Sequence, residues 1–331
     1  MKTLLENPKV HEALKLRVRT VHKFIDFDKD IIEIAPNWAP MVTQKDISNA
    51  SGKGKVAYTD RITTEALLAR EETNPSRIEQ DCEILPIDFV WHPGSELLKS
   101  ANNKKFDFAI SSHVIEHIPD FLGHFIEIWN VLNSGGEYVF VLPNPLGTGE
   151  YFRRPSVLSD IVNSFFQDRA STSPGQNWEY LTKAFHWTGE SMKGKSLNDF
   201  KRHHTDAEAF QDAIRCQKEY VDNHYWCFSP ENFAKMWREL TAFNLNPFEL
   251  VEIIESDSKS PDGHCGEFIT ILKRNDNFKL PDSWQTFVDE KNVSGSMYRV
   301  TVLQNEIQAI KNSTSWRITS PLRYIKRILA R

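Results

Sequence analysis

The chain has 331 residues, 40% of them hydrophobic and 26% charged, with a formal net charge of −5. That is ordinary globular composition, enough for one large domain with additions or for two, and too apolar for an intrinsically disordered protein. The negative balance argues against the basic footprint of a nucleic-acid binder. Cys82, Cys216, Cys227 and Cys265 are scattered without a CxxC pair, so neither a disulfide framework nor a zinc site is expected, and a reducing compartment is.

The first twenty residues carry charges throughout and lack the apolar region of a signal peptide. No stretch is long enough to span a bilayer, so a cytoplasmic location is expected. Asp30 to Ala35 is a short apolar strand ending in Glu33-Ile34-Ala35, followed by Pro36 and Pro40. Its turn contains no glycine, and alanine resists positive φ. Gly52-Lys53-Gly54-Lys55 lacks the spacing of a phosphate loop. Val56 to Asp60 is a β-prone run ending in an acid, and Ile84 to Asp88 is another. Either acid could simply cap the helix that follows. Lys99 to Lys105 reads as a solvated loop.

The most informative run lies between Phe106 and Pro145. Phe108-Ala109-Ile110 is fully apolar and ends in Ser111-Ser112-His113, as a buried parallel strand does. A helix follows with Phe121, Leu122, Phe125, Ile128, Trp129 and Leu132 on one side. Ser134-Gly135-Gly136 is expected to stop it before a second strand, Tyr138 to Leu142. In such strand–helix–strand crossovers ligands sit at the carboxyl ends of the strands. Here those ends hold Ser111, Ser112, His113, Glu116, His117, Pro143 and Asn144.

Beyond Leu146, a helix is expected over Ser156 to Asp168, within an insertion of about 146–215 that forms a lid or acceptor region. Ser229 reads as a helix N-cap with Pro230 in the first turn. Phe233, Met236, Trp237 and Leu240 then follow at helical spacing as core. Phe248 to Ile254 and Gly266 to Leu272 read as a closing antiparallel pair. The apolar positions Met297, Val300, Leu303, Ile307 and Ile310 approach a heptad seam, and Tyr324 to Arg331 is basic and amphipathic.

The phrases "SSHVIEHIPD" and "LNSGGEYVFVLPN", in this order and spacing, resemble the class I S-adenosylmethionine-dependent methyltransferases. The resemblance implies an α/β fold: a Rossmann-like doubly wound sheet, mostly parallel with an antiparallel final strand, a helical insertion and a C-terminal helical tail. It implies a methyltransferase-like domain over 1–275 and a tail over 276–331. It also implies S-adenosylmethionine as cofactor, with Glu33, Ala35, Asp60, Asp88, Ser111 and His113 around it. Asp60 would take the ribose hydroxyls, and Asp88 would lie near the adenine amino group.

Together with "YTDRITTEALLAR", "IDFVWHPGSELL" and "YVDNHYWCFSPENF", these phrases look like bacterial methyltransferase-domain proteins linked with surface-polysaccharide glycosyltransferases. "SxSWRITxPLR" resembles tails found on such glycosyltransferases and their companions. The activity so implied is O-methylation of a sugar in a surface glycan or its precursor. The alternative is a non-catalytic module binding a glycosyltransferase or glycan. The partners implied are a glycan or small-molecule acceptor and, through the tail, a glycosyltransferase, a second copy of the chain or the inner membrane face.

Two departures stand out: the turn after the first strand lacks glycine, and Asn144 stands where the family commonly has an aspartate. Methyl transfer to a hydroxyl needs a base, and histidine suits that role. His113 is the first candidate by position, and His224 paired with Asp222 the second. His117 reads as a structural cap. His113 and His117 are spaced four apart, as metal ligands on one helix can be, but no third ligand follows at a usual spacing, so no metal is expected.

Overall fold

The computed structural model describes residues 2–92, 95–166, 173–217 and 219–279. Seven strands form one sheet: β1 (Ile31–Ile34), β2 (Val56–Asp60), β3 (Phe89–Val90), β4 (Phe106–Ser112), β5 (Leu132–Pro143), β6 (Phe248–Glu255) and β7 (Glu267–Arg274). Their order is β3-β2-β1-β4-β5-β7-β6. The first five run parallel. β7 inserts between β5 and β6 and is antiparallel to both. The doubly wound, mostly parallel sheet expected from the sequence is therefore present.

Successive strand residues point to opposite faces, and both faces are buried. Ile32, Ile34, Ala109, Tyr138, Phe140, Phe268 and Leu272 join Phe121, Phe125, Phe233 and Trp237 in one core. Ile31, Ile110, Val139, Val141, Ile269 and Ile271 join Leu14, Val18 and Val21 of the helix Glu12–His22 in the other. The central strands thus read as apolar runs rather than as alternating ones.

Side-chain caps fix the starts of two helices, and the one at Ser229 is as the sequence indicates. Asp120 caps the helix Phe121–Val131 by accepting from Gly123 N at 3.0 Å. Ser229 caps Pro230–Ala242 by accepting from Asn232 N at 3.2 Å. Phe233, Met236, Trp237 and Leu240 are that helix's buried face.

Three expectations need correction. The glycine pair does not stop the central helix: it ends at Val131, and β5 starts at Leu132, earlier than expected. Gly135, at φ 72°, instead lies within the strand, beside a register slip between Phe106 and Phe108. The third strand is two residues, Phe89–Val90, rather than Ile84 to Asp88. The helix expected over Ser156 to Asp168 spans Leu158–Phe166.

The described fold also runs past residue 275. Phe278 is buried, with its ring 5.8 Å from that of Trp129. Trp129 Nε1 donates to Asn275 O at 3.0 Å. The seam and basic end expected in the tail lie outside the described residues.

Candidate active site

A cavity of about 600 Å³ opens at the carboxyl ends of β1, β2 and β4, where an open α/β sheet presents its ligands. Among the sequence-expected residues Glu33, Ala35, Asp60, His113 and Asp222 line it, as does His117.

Glu33 sits under the first turn. Its Oε1 accepts from Met41 N at 2.6 Å and its Oε2 from Val42 N at 3.2 Å, so it ties the strand to the following loop. Burial raises its pKa to about 8, against the two backbone donors. Ala35 adopts φ 50° and Asn37 φ 49°. The turn therefore reaches the left-handed region without glycine, at a conformational cost. Ala35 N is held there by Thr59 O at 2.7 Å.

Asp60 is buried at the end of β2 and accepts from Ile62 N at 3.2 Å. Burial raises its pKa, and its backbone donors and Arg70 oppose the shift. It is not the cap of the next helix; Thr63 is.

Asp88 and Ser111 are placed elsewhere. Asp88 precedes β3, and its carboxylate accepts from Tyr58 N at 2.7 Å, back towards the start of β2. It does not line the cavity. The short third strand is the reason: its carboxyl end is at Val90, and Trp91 reaches the cavity instead. Ser111 is fully buried against Tyr138 Oη at 2.8 Å, while its neighbour Ser112 faces the cavity. Asn144 turns away too, accepting from Leu146 N and donating to Cys265 Sγ.

His113 occupies the position expected of a base, but its surroundings suit an imidazolium. Its Nε2 is 3.0 Å from Glu267 Oε2 and its Nδ1 3.3 Å from Glu116 Oε1. Burial opposes the charge, but the two carboxylates outweigh it and raise the pKa to about 9. A group protonated at neutral pH cannot take a proton, so the base assignment does not fit this geometry. Glu267 in turn is bound through both oxygens by Arg17, at 2.9 and 2.6 Å.

The expected His224–Asp222 pair does not form; each has a different partner. Asp222 Oδ1 lies 3.0 Å from His117 Nδ1, and Tyr220 Oη donates to Asp222 at 2.9 Å. His117 thus lines the cavity while its ring packs against the later loop that carries Asp222 and His224. Its pKa is raised: burial opposes protonation, but Asp222 and Glu116 outweigh it. His224 Nδ1 is bound by Glu150, which also holds the buried Arg153.

The two rings, His117 and His224, meet edge to face with centroids 4.5 Å apart. With Glu116 they place one ligand atom each within 4.8 Å of one another. This is not the His113–His117 pair that sequence spacing offered: His113 is not in the cluster, and Glu116 and, over a hundred residues later, His224 join His117 instead. Among the described residues of the insertion, none lines the cavity; Tyr220 and Asp222 close that side.

Residues 46–140 match the model of the methyltransferase domain family. The chain carries a methyltransferase domain over that stretch and is an enzyme of methyl transfer. No curated protein matches. Solved structures similar to the chain include an S-adenosylmethionine-dependent methyltransferase from Clostridium acetobutylicum, at 12% identity and TM-score 0.39, covering 80% of this chain and 91% of that one. Another, from Mesorhizobium loti, has 12% identity and TM-score 0.39, covering 79% and 100%. The Burkholderia thailandensis 1,6-didemethyltoxoflavin-N1-methyltransferase, solved with S-adenosylhomocysteine, has 11% identity and TM-score 0.38, covering 80% and 79%.

The cavity suits S-adenosylmethionine as donor on its own evidence. Its volume is in the range of small-molecule sites. Asn37 Oδ1 is buried in its wall without a hydrogen-bond partner, an acceptor left open for a ligand donor. Asp60 offers an acceptor for ribose hydroxyls, the turn from Glu33 to Asn37 brings backbone close, and Trp91 adds an aromatic surface.

Proposed function

We propose that this enzyme methylates a hydroxyl group on a sugar of a surface glycan or its precursor. The observation that carries the reading is the wall opposite Glu33 and Asp60, where His117 is backed by Asp222 beside Tyr220 and Arg61. The bound donor supplies an already activated methyl group, so the protein's work is alignment and removal of the acceptor's proton. Asp60, Asn37 and the Ala35 turn hold the donor side. Tyr220, Asp222 and Arg61 offer the mixed donors and acceptors that a polyhydroxylated acceptor needs. His117, oriented by Asp222, accepts the hydroxyl proton as the oxygen attacks, acting through its neutral form, which becomes more available as pH rises through its raised pKa. His113, clamped between Glu116 and Glu267, contributes fixed positive charge and keeps the strand end rigid.

A non-catalytic module binding a glycosyltransferase or glycan was suggested by the missing glycine. Ala35 and Asn37 already take the left-handed conformation, which removes that motive. The test is incubation with S-adenosylmethionine and a panel of sugar nucleotides and lipid-linked oligosaccharides, read by mass spectrometry. The expected product is a sugar carrying one additional O-methyl group, lost in His117→Ala with donor affinity retained. Methylation confined to nitrogen acceptors, or donor binding without turnover on any glycan, would overturn the reading.

A further inference from the structure

We infer that Glu116, His117 and His224 form a binding site for one divalent transition-metal ion, of the class of Zn²⁺ or Mn²⁺, beside the cavity, whose wall His117 lines. The three residues come from the turn after β4 and from a segment more than a hundred residues later, yet one ligand atom from each lies within 4.8 Å of the others. Two imidazoles and one carboxylate are a donor set that such ions take.

A second observation points to a cation independently of that cluster. Glu116 is 1% exposed, and neither of its carboxylate oxygens accepts a hydrogen bond. Its approach to His113 is a 3.3 Å ion-pair contact outside hydrogen-bond alignment. His113 meets only Oε1, and only as that ion pair, so Oε2 of this buried carboxylate is left without a donor, which is costly unless something positive meets it.

The groups behind the ligands complete the arrangement. His117 Nδ1 faces Asp222 Oδ1 at 3.0 Å, and His224 Nδ1 is bound by Glu150. Both imidazoles therefore have a carboxylate at Nδ1, which leaves Nε2 of each for an ion. Metal-ligating histidines are characteristically oriented by a carboxylate at the other ring nitrogen. Arg153, bound to Glu150 and to Glu179 at 2.8 Å, fixes the carboxylate behind His224.

The site deepens the methyl-transfer reading without depending on it. With the ion in place His117 is a ligand and no longer the base: the ion would lower the pKa of a hydroxyl brought against it, whose proton would pass to solvent before the oxygen attacks the methyl group. The acceptor would then be one that can present an oxygen to a metal, as a sugar hydroxyl can.

The experiment uses the full chain, stripped with chelator and titrated calorimetrically with Zn²⁺ and, separately, with Mn²⁺. Co²⁺ absorption reports the ligand environment. One ion per chain is expected. Glu116→Gln should weaken binding at least tenfold. Asp222→Asn, at a half-exposed position, should weaken it about 10–100-fold by freeing His117. Affinity for S-adenosylhomocysteine should be retained in Glu116→Gln, which shows that the variant is folded.

No stoichiometric binding of either ion at about 1 mM would overturn the inference. So would equal affinity in both variants. His186 and His203, with ring centroids 4.1 Å apart, are the competing surface site. Binding that survives both variants and disappears in His203→Ala would place the ion there and likewise overturn the proposal. Loss of S-adenosylhomocysteine binding with metal binding intact would count against the methyl-transfer reading alone.

Discussion

At the scale of single residues, the two buried acids of the donor side behave differently. Asp60 is buried and has few partners besides backbone, so a ligand hydroxyl meets an acceptor that is largely free. Asp60→Ala should weaken S-adenosylmethionine binding by about 1.5–3 kcal/mol, the size of a hydrogen bond to a charged group. Calorimetry on the variant measures it, and unchanged affinity would show that the ribose is held elsewhere. Glu33 is structural as well as ligand-facing. Its folded pKa, about 8, lies above the ordinary value of 4.5. The folded state therefore binds more protons than the unfolded state between those values, and stability falls as pH rises through that window. Glu33→Gln keeps the shape but abolishes the titration. Thermal unfolding from pH 5 to pH 8 should show a decline in the wild type, on the order of a few kcal/mol, and a flatter profile in the variant. Parallel profiles would mean that Glu33 stays ionised and is satisfied by Met41 and Val42.

At the scale of elements, the parts legible in the sequence were those set by local chemistry. β1, β2, β4 and the helices Phe121–Val131 and Pro230–Ala242 follow from apolar runs and, for the second helix, from Ser229 at its start. The antiparallel pair at the end was legible for the same reason. β3 was not, because two residues of strand carry almost no periodicity and Asp88 made its run look complete two residues too soon. The site was legible on the donor side, where the acids and the turn lie close to their strands. It was not legible where partners are distant in sequence. Arg17, Glu267 and Glu150 determine what His113 and His224 can do, and no spacing rule connects them. The Ala35 turn shows the limit of residue-type rules. Alanine disfavours positive φ, yet backbone pairing with Thr59 holds it at φ 50°. Ala35→Gly should therefore relieve strain, leaving stability unchanged or raising it by about 0.5–1 kcal/mol. S-adenosylmethionine affinity should be unchanged or tighter. A tenfold weaker affinity in a folded variant would show that the alanine methyl itself contacts the ligand.

At the scale of the whole molecule, the boundary of the catalytic domain decides how the tail can be studied. The sequence suggested a division after residue 275, but the packing runs further. Arg274 lies over the Trp129 ring at 4.3 Å, Phe278 is buried against it, and Ser134 Oγ donates to Asp276 at 2.5 Å. Asn244 Nδ2 donates to Lys279 O at 3.3 Å. These contacts close the end of the central helix and the start of β5, so they belong to the folded unit. A chain ending at Arg274 would uncover Trp129 and lose a buried phenylalanine, a change that typically costs several kcal/mol. A chain ending at Lys279 keeps every one of these contacts. It should retain the thermal transition and the S-adenosylmethionine affinity of the full chain, while the chain ending at Arg274 should melt lower or precipitate. If residues 280–331 serve assembly or attachment, through the apolar seam and basic end read from their sequence, the Lys279 chain should lose that property alone. Sedimentation and co-flotation with anionic vesicles, compared between the full chain and the Lys279 chain, measure it. Insoluble protein from the Lys279 chain would instead mean that the tail covers apolar surface of its own domain, and the two-part organisation would have to be abandoned.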